Sequence, residues 1–549
     1  MKFFDFDPKL QSVFNETYSR IHPTDWRSWL DISSRKEYES LTLELSGLAN
    51  VDDIFERIKR EVTDPKQLSV EPGSLLDSHK GSKPVVCCHT SGTSGGTIAD
   101  LKFYHISEEL AKRLWAPGMR AIFEASELSP DSSAVIFVPN RISGDGVTHF
   151  NGKTLVKLYS SEFSQRLMLS LIKPHSYLLY EYKNSNNPLI LEKVLSLENI
   201  SIVSAPASTI LGWADLDKLH QSLKNSLNTL VGSRESSDLI RMISNLGVGA
   251  AAVELQKLLS KALSQATIVF SISSMTENDW SKIRKFMGWK RGSERYTNLY
   301  VGSEVGPFAA NIDRDDSGLP LSDRMLVFPL SLPAVRRGEK IEPISRTREG
   351  LSRLLVSRLN GSEPIINIDT GDVVTIVDQR GLPKIGGQVL RAAFPLKIGL
   401  RFSSELKILQ GSKVFVGDYF NIKGLEIVNP HRLLTCLSSK CKMKERLSAL
   451  IVADIDMRQF VMILPILQSS RCTGVEDIKN KLSQCPGVEY IRRAIQGNQL
   501  RLETISSQPF ETETPKSELL KRVKNGELPK GILKRWPLYL IIPSPTLAH

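Results

Sequence analysis

The sequence lacks any apolar run as long as the ~18–20 residues that a membrane-spanning helix requires. Its first residues carry two Asp and an early Pro, which is not the pattern of a secretory signal. Six cysteines in 549 residues are few, and none has the two-residue spacing of a zinc knuckle. We therefore expect a cytoplasmic protein with reduced thiols, no membrane span and no structural zinc.

Glycine and proline, at 35 and 28 residues, are too scarce for a collagen-like or low-complexity chain. Hydrophobic residues make up 41% and charged residues 24%, as in an ordinary globular protein. The formal net charge is +11, but the basic residues are scattered and have little aromatic interleaving. We therefore expect a folded chain of about two to four domains that does not bind nucleic acid.

Short apolar runs that end in turn residues alternate with stretches of helical periodicity. This alternation predicts an α/β fold with much parallel sheet. The N-terminal part has the apolar spacing of helices, and Ser107 is a predicted N-cap. Further helices are predicted over residues 106–125 and 208–223. The predicted strands cover residues 84–89, 133–139, 199–206, 266–273, 297–302, 324–331, 352–359 and 372–378.

The pattern changes near residue 410, where a second group of short strands and helices begins. It includes predicted helices over 433–443 and 475–485 and predicted strands over 447–455 and 460–467. We therefore expect a large domain over residues 1–412 and a small C-terminal α+β domain over 413–549.

A loop rich in glycine and hydroxyl groups follows the predicted strand that ends at His89. Glycine lets the backbone approach an anion closely, and backbone N–H groups with Ser and Thr hydroxyls donate to phosphate oxygens. A flexible Ser/Gly linker is the alternative, but this stretch directly follows a buried strand and is compact. It is not a Walker loop. The predicted phosphate-binding residues are Thr90, Ser91, Gly92, Thr93, Ser94, Gly95, Gly96 and Thr97.

This loop resembles the phosphate loop of the acyl-adenylate-forming enzymes, Ser/Thr-Ser/Thr-Gly-Thr-Thr/Ser-Gly. Many members place a Lys shortly after the loop, where this chain has Ile98. The phenylacetate–coenzyme A ligase branch also lacks that Lys, so the resemblance is closest to this branch. The resemblance implies a large adenylate-forming domain with mixed and parallel sheets flanked by helices, followed by a small mobile domain.

Two further segments resemble motifs of the same family, in the same order. Residues 300–307, YVGSEVGP, resemble Tyr-Gly-x-Ser-Glu-x-x-Gly-Pro, with a spacing difference around Gly302. The resemblance implies that Tyr300 lies against adenine, that Gly302 and Ser303 line the nucleotide site, and that Glu304 binds Mg²⁺. In residues 364–372, PIINIDTGD, it implies that Asp372 holds both ribose hydroxyls.

Two departures from the family pattern concern charge. Asn367 and Asp369 stand where the family has two Arg, so the local electrostatics must differ. Near the C-terminus, PKSELLKRV resembles Pro-Arg-Ser-Glu-Gly-Lys-x-x-Arg-Val, but its Lys position falls on a leucine. Lys521 is the nearest candidate for the catalytic cation, and an ordinary surface lysine is the alternative.

The resemblance implies that ATP, with Mg²⁺, activates a small-molecule carboxylic acid as an acyl-adenylate and releases pyrophosphate. A thiol, expected to be coenzyme A, then displaces AMP. A non-catalytic relative that binds nucleotide or acyl groups is a second hypothesis, because several charged motif positions are replaced. An amine or a carrier-protein thiol as acceptor is a third. The acid and the oligomeric state stay open.

Overall fold

The chain folds as an α/β protein whose mixed and parallel sheets are flanked by helices, as predicted. The computed structural model describes residues 2–4, 16–18, 21, 51–63, 84–89, 103–141, 145–150, 153–232, 238–271, 277–312, 325–327, 334–337, 339–343, 350–358, 365–377, 384–385, 388–389, 397–398, 419–422, 425–428, 430–443, 447–454, 459–466, 470–485, 489–507, 522, 525, 527, 532–535 and 538–541. The predicted boundary at 412/413 lies outside these ranges and stays a prediction.

The elements before residue 290 alternate strands and helices. In chain order they are β1 (Lys2–Phe4), α1 (Val51–Arg60), β2 (Pro84–His89), β3 (Phe103–Ser107), α2 (Glu108–Leu110), a π-helical turn (Ala111–Trp115), α3 (Ala116–Ala125), β4 (Ser133–Val138), β5 (Gly146–Phe150), β6 (Lys153–Tyr159), α4 (Ser160–Ile172), β7 (Ser176–Glu181), a 3₁₀ turn (Tyr182–Asn184), α5 (Pro188–Leu195), β8 (Ile200–Ser204), α6 (Ala207–Trp213), α7 (Leu216–Gly232), α8 (Asp238–Leu263), β9 (Thr267–Ser271) and α9 (Glu277–Met287).

Strands dominate the part that follows, up to residue 428. They are β10 (Tyr296–Gly302), β11 (Gly306–Ala310), β12 (Met325–Val327), β13 (Ala334–Arg337), β14 (Lys340–Pro343), β15 (Gly350–Arg358), β16 (Ile365–Val377), β17 (Lys384–Ile385), β18 (Gln388–Val389), β19 (Lys397–Ile398), β20 (Tyr419–Ile422) and β21 (Leu425–Val428).

The C-terminal elements combine three helices with a small sheet. They are α10 (Pro430–Lys440), β22 (Ala449–Asp454), β23 (Gln459–Pro465), α11 (Val475–Leu482), α12 (Glu489–Gln496), β24 (Leu500–Ile505), β25 (Ile532–Arg535) and β26 (Leu538–Ile541).

The largest described sheet has the order β1-β7-β4-β8-β9-β10-β11-β12-β19-β16-β15-β13-β14. From β1 to β10 the neighbouring strands are parallel, and from β10 to β14 they are antiparallel. Residues 133–138 of β4 are buried on both faces, which is typical of a central parallel strand. β10 therefore marks the transition between the two halves of the sheet.

A second sheet carries the strands on either side of the predicted phosphate loop. Its order is β3-β2-β6-β5, with β2 antiparallel to β3 and parallel to β6. The helical stretch after β3 begins at the predicted N-cap, because the Ser107 hydroxyl accepts a hydrogen bond from Leu110 N at 3.2 Å. The predicted helix over 208–223 is instead two helices, α6 and α7, separated near Asp215.

The C-terminal sheet has the order β24-β23-β22-β26-β25. Its helices pack around a separate apolar cluster drawn from residues 433–502. The prediction of reduced thiols is wrong for this part of the chain, because Cys436 pairs with Cys485 and Cys441 with Cys472. The sequence spacing gave no sign of these pairs, since the partners are 49 and 31 residues apart.

Two larger apolar clusters lie on opposite sides of the strands β4 and β8. One contains Ile136 and Ile202, and the other contains Val135 and Val203, as expected when alternate side chains of a strand point to opposite faces. Among the described residues, no helix is both long enough and apolar enough to span a bilayer.

Candidate active site

The two strands that flank the predicted phosphate loop, β2 and β3, are paired with each other. Residues 90–97, the loop itself, lie outside the described residues. His89 at the end of β2 pairs with Phe103 at the start of β3, so the loop belongs to the connection between these strands. The His89 Nε2 atom lies 2.8 Å from Asp145 Oδ1, and both side chains are fully buried. His89 thus has the structural hydrogen-bonding role that a buried histidine usually has.

The turn between β10 and β11 presents the second motif. Gly302 pairs with Gly306, and the Val305 N–H donates to the Gly302 carbonyl at 3.2 Å. The strand register shifts between Tyr300 and Val301, close to the spacing difference from the family motif. Phe308 of β11 is the extra residue at this shift, so a β-bulge adjoins the turn.

The side chains of this motif differ in exposure. The Tyr300 ring is 4% exposed and lies 4.2 Å, centroid to centroid, from the Phe308 ring, so it presents little surface to an adenine in this conformation. The Ser303 hydroxyl lies 2.7 Å from the Ser160 hydroxyl at the start of α4. Glu304 is half-buried and its carboxylate accepts a hydrogen bond from the Tyr104 hydroxyl at 3.3 Å.

The Tyr104–Glu304 hydrogen bond joins two residues that are 200 positions apart in the chain. Tyr104 is the second residue of β3, the strand that leaves the predicted phosphate loop, and it pairs with Cys88 of β2. Its hydroxyl therefore holds the Glu304 carboxylate close to the end of the sheet where the loop begins.

Glu304 fits a magnesium site of the kind that accompanies a nucleotide. Mg²⁺ is bound in such sites by one or two carboxylates, together with waters and phosphate oxygens. Among the described residues, no group of three His, Cys, Asp or Glu side chains could hold a metal ion by itself. A magnesium ion at Glu304 would need further ligands beside this carboxylate, and waters and phosphate oxygens can supply them.

Sequence reasoning missed Arg358, the last residue of β15. It is 2% exposed, and its Nη2 atom donates to the His105 carbonyl of β3 at 2.5 Å. Its Nη1 atom lies 3.5 Å from the Glu304 carbonyl. The only sequence signal was a cation at the end of an apolar run, which does not distinguish a buried arginine from a surface one.

The third motif lies in β16. Leu355 pairs with Asp369 and Arg353 with Val373, so one residue of β15 faces three residues of β16, among them Asp372. The Thr370 hydroxyl donates to the Leu354 carbonyl at 2.8 Å within this bulge. The backbone of Asp372 is thus placed in an irregular part of the strand, and its side chain lies outside the described residues.

Asn367 has a structural role. It adopts φ +52° and its side-chain nitrogen donates to the carbonyls of Ile58 and Glu61, at 2.6 and 2.8 Å. These carbonyls lie at and just beyond the C-terminal end of α1. Asn367 therefore fastens α1 to β16 and does not supply a cation to the site.

A buried charge network involves α4, the helix whose first residue, Ser160, contacts Ser303. Glu162, fully buried in the first turn of α4, pairs with Arg141 at 2.7 Å and with Arg166 at 2.8 Å. Burial alone would raise the pKa of Glu162, but the two arginines outweigh burial and hold that pKa below its usual value. The network keeps a carboxylate ionised in the protein interior, and sequence reasoning missed it.

The remaining predicted site residue and the two free thiols have different positions. Lys521 lies outside the described residues. Cys87 and Cys88 of β2 are free and buried. Burial raises the pKa of the Cys87 thiol to about 12 and that of Cys88 well above its usual value. Both thiols are therefore protonated at neutral pH and are not nucleophiles.

Comparisons with known proteins give distant similarities. No family model and no curated protein sequence matches the chain. Among solved structures, a GH3.15 acyl acid amido synthetase has 13% identity and a TM-score of 0.48, covering 96% of this chain and 97% of its own. The amide bond synthetase McbA from Marinactinospora thermotolerans has 12% identity and a TM-score of 0.39, covering 78% and 67%. McyG A-PCP complexed with phenylalanyl-adenylate has 10% identity and a TM-score of 0.42, covering 83% and 69%.

At these identities and TM-scores, the likenesses carry no conclusion about the activity of this chain.

Proposed function

We propose that this protein activates a carboxylic acid with MgATP as an acyl-adenylate. The observation that carries the proposal is the Tyr104–Glu304 hydrogen bond, which brings the predicted magnesium-binding carboxylate next to the strand that leaves the predicted phosphate loop. The Glu304 carboxylate of the second motif therefore lies beside β3, the strand that follows the first motif in the chain. This proximity supports the proposal that both motifs contact one nucleotide.

In the proposed first step, a carboxylate oxygen of the acid attacks the α-phosphorus of ATP. The new acyl–oxygen–phosphorus linkage forms as the bond to the β-phosphate breaks, and pyrophosphate leaves with the electron pair. Residues 90–97 would donate to the phosphates, Glu304 would hold Mg²⁺, and Asp372 would accept from the ribose hydroxyls. Positioning and charge neutralisation are the main contributions of the protein to such a step.

In the proposed second step, a thiol attacks the acyl carbonyl, loses its proton and releases AMP. Coenzyme A is the acceptor that the sequence resemblance implies, and an amine or a carrier-protein thiol are the alternatives. Residues 413–549 are proposed to act as a mobile small domain that brings Lys521 to the phosphates in the first step. Mass spectrometry of the products with each class of acceptor distinguishes these possibilities.

Exchange of labelled pyrophosphate into ATP tests the first step. The purified protein is incubated with MgATP and a panel of aryl, arylacetic and fatty acids. At least one acid should support exchange, and Glu304→Gln should slow it about 10²–10³-fold, because a charge that stabilises the transition state is lost. Asp372→Ala should also abolish exchange while leaving the fold intact.

Glu254→Gln is the matched control, because Glu254 forms an exposed ion pair with Lys257 on α8 and has no place in the proposed site. It should exchange at the wild-type rate. Nucleotide binding without exchange for any acid would favour the non-catalytic hypothesis. Wild-type exchange in Glu304→Gln or Asp372→Ala would contradict the assigned roles.

A further inference from the structure

Arg358 contacts two parts of the proposed nucleotide site, β3 and the Glu304 turn. It ends β15, the strand paired with β16, which carries Asp372. One guanidinium nitrogen donates to the His105 carbonyl of β3, and the other lies against the Glu304 carbonyl of the turn. A single side chain therefore contacts the strand that follows the predicted loop and the turn that carries the magnesium-binding carboxylate.

The two acceptors require the planar shape of the guanidinium. They belong to different segments, and separate nitrogens of Arg358 reach them. The side chain is 2% exposed, so water does not replace these contacts easily. A lysine ammonium is a point charge on a flexible stem and does not reproduce the rigid arrangement of donors.

The positive charge of Arg358 also affects Cys88 of β2, the strand that precedes the predicted loop. Burial is the main cause of the raised pKa of the Cys88 thiol, and the positive charge of Arg358 opposes it. Cys88 pairs with Tyr104 across β2 and β3. The guanidinium thus contacts β3 directly and acts electrostatically on Cys88 of β2.

We propose that Arg358 is a positioning residue that locks β3 and the Glu304 turn into one arrangement for binding MgATP. The inference rests on the proposed function. Asn367 of β16 contacts α1. Arg358, on the neighbouring strand β15, places a buried cation next to the Glu304 turn.

Two variants separate the shape of the guanidinium from its charge. Arg358→Met removes both, and Arg358→Lys keeps the charge. Pyrophosphate exchange is measured against MgATP and against free Mg²⁺ in each variant. Both variants should lower kcat/KM for MgATP about 10- to 100-fold, since small misplacements of positioned groups have effects of this size. Both should also require more Mg²⁺ for half-maximal exchange.

Hydrogen exchange of the backbone amides provides a readout that needs no activity. In Arg358→Met, amides of residues 103–107 and 302–306 should lose protection together. Arg284→Met is the matched control. Arg284 forms a partly buried ion pair with Glu294, with 2.8 Å between Nη1 and Oε1, and neither residue belongs to these segments. It should leave the Mg²⁺ requirement and both sets of amides unchanged.

The outcomes keep the two proposals apart. If the wild type neither binds MgATP nor exchanges pyrophosphate, the proposed function fails, and the amide experiment still decides whether Arg358 joins the two segments. If exchange is normal in the wild type and both Arg358 variants keep its Mg²⁺ dependence and amide protection, the positioning role is wrong. Full recovery in Arg358→Lys would also overturn the proposal, because charge alone would then suffice.

Discussion

At the scale of single residues, Gly306 is the position with the least room in the β10–β11 turn. Its φ is +126°, a region that other residues rarely adopt. A Cβ atom there would lie 2.8 Å from Trp115 Nε1, an atom that has no hydrogen-bond partner among the described residues. Trp115 ends a π-helical turn, so an irregular helix supports the turn that carries Glu304.

Gly306→Ala should therefore destabilise the protein by about 1–3 kcal/mol, the usual cost of a strained backbone conformation. Denaturant unfolding measures the loss, and the Glu304 turn should bind Mg²⁺ more weakly. Gly249→Ala is the control, because a Cβ at Gly249 in α8 meets nothing within 4 Å and its φ is not in the unfavourable region. If the two variants have the same free energy of unfolding, the Trp115 side chain moves aside without a measurable loss of stability.

At the scale of elements, α1 is attached to the large sheet through Asn367 and Thr63. The Thr63 N–H donates to the Asn367 carbonyl at 3.0 Å, and the Thr63 hydroxyl donates to the Ile366 carbonyl at 2.7 Å. The side-chain amide of Asn367 also donates hydrogen bonds to carbonyls at this end of α1. Carbonyls at the C-terminal end of a helix lack partners inside the helix, so these hydrogen bonds stabilise that end.

Asn367→Gly should loosen α1 without straining the strand, since glycine also adopts φ near +52°. We expect a loss of about 1–3 kcal/mol, because two partly or fully buried carbonyls lose a donor. Limited proteolysis and amide exchange over residues 51–63 report the loosening. Asn367→Ala should lose more, because alanine adds backbone strain. A glycine variant with wild-type protection of α1 would rule out this attachment.

The sequence predicted local elements well, because their signals are local. Residues 84–89 form a short apolar run before a glycine-rich stretch, and they are β2; Ser107 was predicted as an N-cap and is one. Arg358 and His105 are 253 residues apart, and Asn367 and Ile58 are 309 apart. Whether an arginine or asparagine is buried at such a contact depends on the register of the sheet, which no local pattern specifies.

At the scale of the whole molecule, the cysteines divide into two chemical groups. Cys87 and Cys88 are free thiols in the core of the N-terminal part. The other four form two nested bridges, because the 441–472 pair lies between the members of the 436–485 pair. Disulfides persist in oxidising compartments and are rare in the cytosol. The two disulfides therefore conflict with the prediction of a cytoplasmic protein.

The number of free thiols in the protein decides between paired and reduced C-terminal cysteines. Alkylation of the denatured, unreduced protein followed by mass spectrometry should modify two cysteines, Cys87 and Cys88, and reduction first should raise this to six. Each bridge closes a loop worth about 4 kcal/mol in the chain-entropy model, and nesting makes the two less than additive. Reduction should therefore lower the unfolding temperature of residues 430–507 and leave amide protection of the large sheet unchanged. Six modified cysteines without reductant, in protein isolated under air from its natural compartment, would mean that the four C-terminal cysteines are thiols there and that the cytoplasmic prediction stands.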